Sequence, residues 1–247
     1  MRKVLGLVGA TLLFAGPALA ADVGTPTYKA PPLAPAFSWT GWYIGANAGF
    51  GLGQSTDPNV SGDMSMNARR FPNLLPKGFI GGGQIGYDWQ VSPNWVFGLV
   101  ADFQGADISA SGLSDFQAGT QHVTESISNK LDFLGTGRMR LGWTSGNWLF
   151  YGSGGVAFGN VSSTADLRVT WPGQVYHASG SNSETLDGWA AGAGINYALT
   201  WNWIAGVDYL HYDLGRSSVT VAKGCCTNTV SQKVGGDIVR GVVNYKF

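Results

Sequence analysis

From Trp42 to Phe247 the chain runs through segments in which apolar side chains alternate with glycine or polar ones. A period of two belongs to a β-strand with two unlike faces. In the first segment Trp42, Ile44, Ala46, Ala48, Phe50 and Leu52 share one row, opposite Tyr43, Gly45, Asn47, Gly49 and Gly51. The second sets Phe79, Ile85, Tyr87, Trp89 and Val91 against Gln84, Asp88 and Gln90, and the third sets Trp95, Phe97, Leu99, Ala101 and Phe103 against Asp102 and Gln104. In the fourth, Leu131, Phe133, Met139, Leu141 and Trp143 oppose Asp132, Thr136, Arg138 and Arg140. The fifth, Trp148 to Val161, is apolar or glycine on both rows and leaves its orientation open; Trp148, Phe150, Val156 and Phe158 are the favoured apolar row. The sixth opposes Trp189, Ala191, Ala193, Ile195, Tyr197 and Leu199 to Gly188, Gly192, Gly194 and Asn196. The seventh pairs a row of Trp203, Ala205, Val207 and Tyr209 with Asp208, and the eighth a row of Val239, Gly241, Val243, Tyr245 and Phe247 with Arg240, Asn244 and Lys246. The pattern predicts eight strands, with every charge on one side.

Trp42, Trp95, Trp148 and Trp203 open four of these strands at intervals of 53, 53 and 55 residues. Trp89, Trp143 and Trp201 stand just before the short turns that precede three of those openings, and Trp39 joins them, so eight of the ten tryptophans are expected at one end of the hairpins. Indole is amphipathic and settles where hydrocarbon meets water, so such a ring reads as a membrane-interface girdle. Short polar turns at Ser92-Pro93-Asn94, Thr144 to Asn147 and Thr200-Trp201-Asn202 join this end, while segments 54–77, 105–129, 162–185 and 215–235 join the other. Bacterial outer-membrane barrels have an even number of strands, short periplasmic turns and longer extracellular loops. The expected fold is an all-β, eight-stranded, antiparallel up-and-down transmembrane barrel with the tryptophan girdle on the periplasmic side.

A soluble lipocalin-like barrel is the rival arrangement, with the apolar row turned inward around a ligand. Its solvent face would then be the row rich in glycine and poor in charge, and the gathering of tryptophans at one rim would have no cause.

Arg2 and Lys3, the apolar run Val4 to Phe14, the breakers Gly16 and Pro17, and Ala18-Leu19-Ala20 predict a signal peptide over residues 1–20. The apolar run is too short for a spanning helix, which needs about 20 residues. Residues 21–37 hold Pro26, Pro31, Pro32 and Pro35 without alternation and are expected to form a flexible, Pro-rich segment before a barrel at 38–247. Charged residues make up 12% of the chain and aromatics 13%, with 38 glycines, whereas a soluble domain carries about 25% charge. Without residues 1–20, Lys and Arg fall from 15 to 13 against 15 Asp and Glu, a formal charge of −2. Nothing in that balance points to nucleic acid. The adjacent Cys225 and Cys226 leave three states open: a strained vicinal bridge, pairing between chains, or free thiols.

Four stretches, SWTGWYIG at 38–45, GAGINYALT at 192–200, VDYLHYDLG at 207–215 and VVNYKF at 242–247, resemble the small porin-family outer-membrane surface antigens of alphaproteobacteria, relatives of the OmpA-like transmembrane barrel. The resemblance covers essentially the whole of the chain after the leader. It implies an outer-membrane location, lipid as a partner, and a terminal strand whose Tyr245 and Phe247 serve as the signal to the barrel assembly machinery. OmpA proteins continue into a peptidoglycan-binding domain; this chain stops at Phe247, so that activity is not carried over.

No Ser-His-Asp spacing, metal-ligand cluster or phosphate-cradling loop stands out, so no enzyme, cofactor or metal is expected. Asp102, Arg138, Asp208 and Arg240 form the expected interior charge network, Asp102 with Arg138 and Asp208 with Arg240 on neighbouring strands. An eight-stranded barrel is just wide enough for side chains to fill, so the expected role is a plug, with a narrow pore as the alternative. The outer loops offer Phe71, Phe116, Trp171 and Tyr176 with His122 and His177; some relatives in the resembled family capture haem, which makes haem or host-ligand binding a third possibility. The expected function is a structural, surface-exposed barrel contributing to envelope integrity and outside contacts, with passive diffusion of small solutes as its rival.

Overall fold

The computed structural model describes residues 37–54, 59–62, 75–223 and 226–247. The expected signal peptide, nearly all of the Pro-rich segment, Phe71, Cys225 and the side chains of Cys226 and Phe116 lie outside the described residues. Nine strands are described: β1 (Gly41–Gly53), β2 (Asn59–Gly62), β3 (Lys77–Ser92), β4 (Trp95–Ala118), β5 (Gln121–Ser145), β6 (Trp148–Trp171), β7 (Gln174–Ala198), β8 (Trp203–Lys223) and β9 (Cys226–Lys246). Eight form a ring in chain order, and antiparallel pairing of β1 with β9, from Tyr43 against Lys246 to Gly53 against Gly236, closes it. Within the wall, closure leaves no unpaired strand edge among the described residues. The short β2 adds to β9 through Asn59 against Ser231 to Gly62 against Asn228.

The two faces of each strand follow the alternation. The wall carries Ile44, Phe97, Leu99, Met139, Leu141, Val156, Ile195, Val207 and Val243, all exposed. The fifth predicted strand, β6, turns Trp148, Phe150, Val156 and Phe158 outward. At one end the wall ends in packed aromatics. Trp42 meets Tyr87 at 5.1 Å, Tyr87 meets Trp89 at 4.5 Å, Trp148 meets Tyr197 at 4.6 Å and Trp203 meets Tyr245 at 5.2 Å between ring centroids. Phe247 continues this rim, its amide donating to the Trp42 carbonyl at 3.0 Å. Gly146 supplies the left-handed residue (φ 59°) of the tight turn between β5 and β6.

Trp39 departs from the expected girdle. It is only 1% exposed, folded into the mouth of the barrel with Val96, Leu149, Ala198 and Ile204 around it. Its amide donates to Gln90 Oε1 at 3.0 Å, and Phe37 packs edge-on against its ring at 4.9 Å. Trp39 precedes β1, so no strand alternation fixes its side, and burying the indole among lumen-facing apolar side chains removes more surface from water than an interface position would.

The long connections also depart from expectation. Residues 105–118 and 121–129 continue β4 and β5, 162–171 and 174–185 continue β6 and β7, and 216–223 and 226–234 continue β8 and β9. They are paired strands with tight tips, not loops: β4 to β7 continue as one four-stranded sheet, and β8 and β9 as a ladder to which β2 adds. Gly173 (φ 84°) follows Pro172 at one tip, the pairing a type II turn requires. Their Ser, Thr and Asn are spaced at period two with Val123, Ile127, Ala165, Leu167 and Val219, which turn inward and are buried; polar composition masked the alternation.

Besides one between Gln90 and Ser92 at the tryptophan end, register shifts fall at one level of the ring, between Gly105 and Ile108, Leu131 and Phe133, and Asp213 and Arg216. The shift between Leu131 and Phe133 corrects the fourth predicted strand. The bulge at Asp132 reverses the parity of β5, so Leu131 is 5% exposed inside the barrel while Phe133 stays on the wall against Phe103 at 5.2 Å. Asp132, expected inward, sits half-exposed in the bulge and accepts a hydrogen bond from Ser162 Oγ at 2.7 Å. A bulged strand bends and re-aims its side chains, which here marks where the apolar wall gives way to the polar ladders.

Candidate functional site

The lumen is filled in three layers. At the tryptophan end lies the apolar group of Trp39, Val96, Leu149, Ala198 and Ile204. At the ladder end lies a larger one that includes Ile80, Ile108, Leu131, Leu134, Leu210, Tyr212, Leu214 and Ile238. Between them sit the buried polar and charged side chains.

Asp102, Arg138, Asp208 and Arg240 come together there. Arg138 Nη2 donates to Asp102 Oδ2 at 2.8 Å and stands 3.6 Å from Asp208 Oδ2. Arg240 Nη2 donates to Asp208 Oδ2 at 2.7 Å and to Asp102 Oδ2 at 3.3 Å. Arg138 and Arg240 therefore each reach both carboxylates, so the four residues make one network and not two separate pairs. Gln104 Nε2 donates to Asp102 Oδ1 at 2.6 Å, Thr136 Oγ1 to Asp102 Oδ2 at 2.8 Å, and Arg138 Nη1 to Ser153 Oγ at 3.0 Å. A further amide chain lines the same level, Asn47 Nδ2 to Gln84 Oε1 at 3.2 Å and Gln84 Nε2 to Asn244 Oδ1 at 2.6 Å.

A second ion pair went unread in the sequence. Arg140 on β5 forks onto Asp88 on β3, its Nε donating to Oδ1 at 2.7 Å and its Nη2 to Oδ2. The guanidinium lies between the rings of Tyr43 and Tyr151, at 4.9 and 5.1 Å from their centroids, which adds cation–π attraction in a desolvated site. The alternation places both residues inward, but β4 stands between their strands, so pairing of adjacent strands does not join them. Gly98 on that strand was the available signal. A Cβ there would meet Asp88 Oδ1 and the Arg140 side chain, so only glycine leaves the crossing open. The six charges of the layer, three Asp and three Arg, balance.

Chemically, this arrangement holds its charged groups against one another: each guanidinium is bonded to a carboxylate, and each carboxylate accepts two or more hydrogen bonds. Buried ions so paired strongly resist removal of one partner, because the other would be left uncompensated.

His122 and His177 lie on the outward face of the ladders, in β5 and β7, not in loops. His122 Nε2 is 3.1 Å from Asp115 Oδ1 and His177 Nε2 is 3.9 Å from Asp166 Oδ1. Trp171 and Tyr176 pack across the β6–β7 tip at 6.4 Å. Among the described residues no group of three or more His, Cys, Asp or Glu is placed to hold a metal ion.

A closed ring of eight antiparallel strands, with a lipid-ready wall, an aromatic rim and a filled polar interior, defines an outer-membrane β-barrel. The chain belongs to the family described as outer membrane protein beta-barrel domain, whose model matches residues 8–247. It is 37% identical over 258 residues to a 31 kDa outer-membrane immunogenic protein of Brucella melitensis, covering 100% of both chains. It is 27% identical over 215 residues to a 22 kDa outer membrane protein of Rhizobium leguminosarum, covering 83% of this chain and 80% of that one. Among solved structures, Neisserial surface protein A shares 16% identity at a TM-score of 0.38, covering 84% of this chain and 98% of that one. The protein is thus located in the outer membrane, and the short turns of such barrels face the periplasm, which puts the tryptophan rim inside and the ladders outside the cell.

Proposed function

We propose that this protein is a structural barrel, sealed against solutes, that reinforces the outer membrane and displays its β4–β5, β6–β7 and β8–β9 ladders as a surface for outside contacts. The single observation that carries this reading is the stacking of the charge-balanced polar layer between two apolar layers. A water-filled path needs continuous polar lining, and both apolar layers interrupt it. The relatives named as immunogenic proteins are consistent with ladders that reach well beyond the apolar wall, where antibodies meet them. The wall and its aromatic rim make lipid the partner of the barrel, and the exposed Tyr245 of β9, with Phe247 just after it, suits recognition by the assembly machinery.

The test is conductance of the refolded barrel in planar bilayers, with Arg138→Met and Arg240→Met as companions. The wild type is expected to stay silent, and each variant to unfold more easily by about 3–5 kcal/mol, the cost of removing one partner of a buried pair. Sustained wild-type channels would establish the porin reading instead.

A further inference from the structure

Beyond the outer apolar layer the lumen reopens as a cup within the ladders. Leu131, Val161 and the Tyr212 ring line it with apolar surface, and Asn129, Ser217 and Gln232 line it with hydrogen-bonding groups. Asn129 Nδ2 donates to Gln232 Oε1, a crossbar joining β5 to β9 over the cup. Ser217 is 4% exposed, yet its hydroxyl makes no hydrogen bond among the described residues; the parity change after Gly215 turns it inward with Val219. Lys130 and Lys233 also border the cup, but their ammonium groups reach Asp107 and Asp213 on the outer face at 3.1 and 2.8 Å. Neither brings its charge inside.

The cup encloses a cavity of about 50 Å³, room for about four waters, or on the order of 120 Å³ of liquid. Waters there face an apolar floor that offers them no hydrogen bonds. A solute with both C–H and O–H faces releases them and gains contact with the floor while its hydroxyls meet the amides and Ser217. A charged solute would lose its hydration without meeting a counter-charge.

We propose that this cup binds a small neutral polyol, up to the size of a single sugar ring. The ring's C–H face lies on Tyr212, Leu131 and Val161, its hydroxyls take Ser217 and the Asn129–Gln232 amides, and the crossbar opens to admit it. The cup is separate from the charge network, so its test stands whether or not the lumen conducts.

Saturation-transfer NMR with xylose on the refolded barrel in detergent is the direct experiment. Xylose is expected to receive saturation from the protein, with neither glucuronate nor glucosamine displacing it. Ser217→Ala removes a hydroxyl that no other described residue uses, so the fold is retained and affinity is expected to fall about fivefold, the effect of one hydrogen bond. Gln232→Leu, which removes the crossbar, is expected to weaken binding as well. Absence of transfer to xylose in a barrel of folded gel mobility would show that the cup holds water only. Equal competition by the charged sugars, or an unchanged affinity in Ser217→Ala, would equally overturn the proposal.

Discussion

Arg140 Nε donates to Asp88 Oδ1 at 2.7 Å across the full width of β4, and the residue beneath the crossing is Gly98. The spacing of three residues on three strands is thereby locked into one geometry. Gly98→Ala places a methyl group where the carboxylate lies. The expected result is a loss of about 3 kcal/mol, the lower end for a broken buried pair, read as a lowered urea midpoint of refolding followed by heat-modifiable gel mobility. An unchanged midpoint would mean the pair contributes nothing to stability.

Trp39 offers a clean contrast with the wall tryptophans. Removing a buried indole leaves a cavity and costs roughly 3–5 kcal/mol. Trp39→Ala is therefore expected to lower the urea midpoint far more than Trp42→Ala, whose ring is 58% exposed on the wall. Equal effects of the two substitutions would return Trp39 to the lipid interface.

If the outer connections are ladders, their backbone amides are bonded to a neighbouring strand. Hydrogen exchange by mass spectrometry is expected to show protected amides at Val123, Ile127 and Leu167 on the inner strands β5 and β6, with fast exchange at tips such as Gly119 and Gly173 and at alternate amides on the open edges of β4 and β7. Uniformly fast exchange over 107–129 would restore the loop description.

Just past the wall, on the outer face, Asp237 Oδ1 accepts hydrogen bonds from Tyr209 at 2.6 Å and from His211 at 2.8 Å, and these bonds hold its carboxyl below the usual range. For Asp213, burial acts upward, but the hydrogen bond and charge of Lys233 and the Gly215 amide outweigh it and leave the carboxyl low as well. A carboxyl depressed on folding stabilises the folded state above its unfolded value near 4 and loses that contribution as pH falls through the lower folded value. Closure of the β8–β9 ladder is thus expected to be constant from neutral pH to about 4 and to weaken below it. Asp213→Asn with Asp237→Asn should flatten that acid limb in a hydrogen-exchange titration; an identical limb in the double variant would refute the assignment.

The wall and the ring were legible because lipid and lumen impose opposite demands on alternate residues, and Leu99, Arg138 and Val243 each declare a side. Legibility failed where that rule lapses. Trp39 precedes the first strand and is governed by the volume of the barrel mouth. Leu131 is reversed by a bulge at Asp132 that no local residue type announces. The ladders hid because water on one face and a small polar lumen on the other, as at Ser163 and Ser217, blur the contrast between rows. The Asp88–Arg140 contact depends on the stagger of three strands, which the closed ring sets and no single strand contains.

All of this requires that the row containing Leu99 and Val243 touch hydrocarbon while the Asp and Arg side chains stay within the lumen. Spin labels at those two positions in the lipid-reconstituted barrel measure it directly. High accessibility to oxygen and low accessibility to a water-soluble nickel relaxant is the expected pattern; ready relaxation by nickel at either site would contradict it.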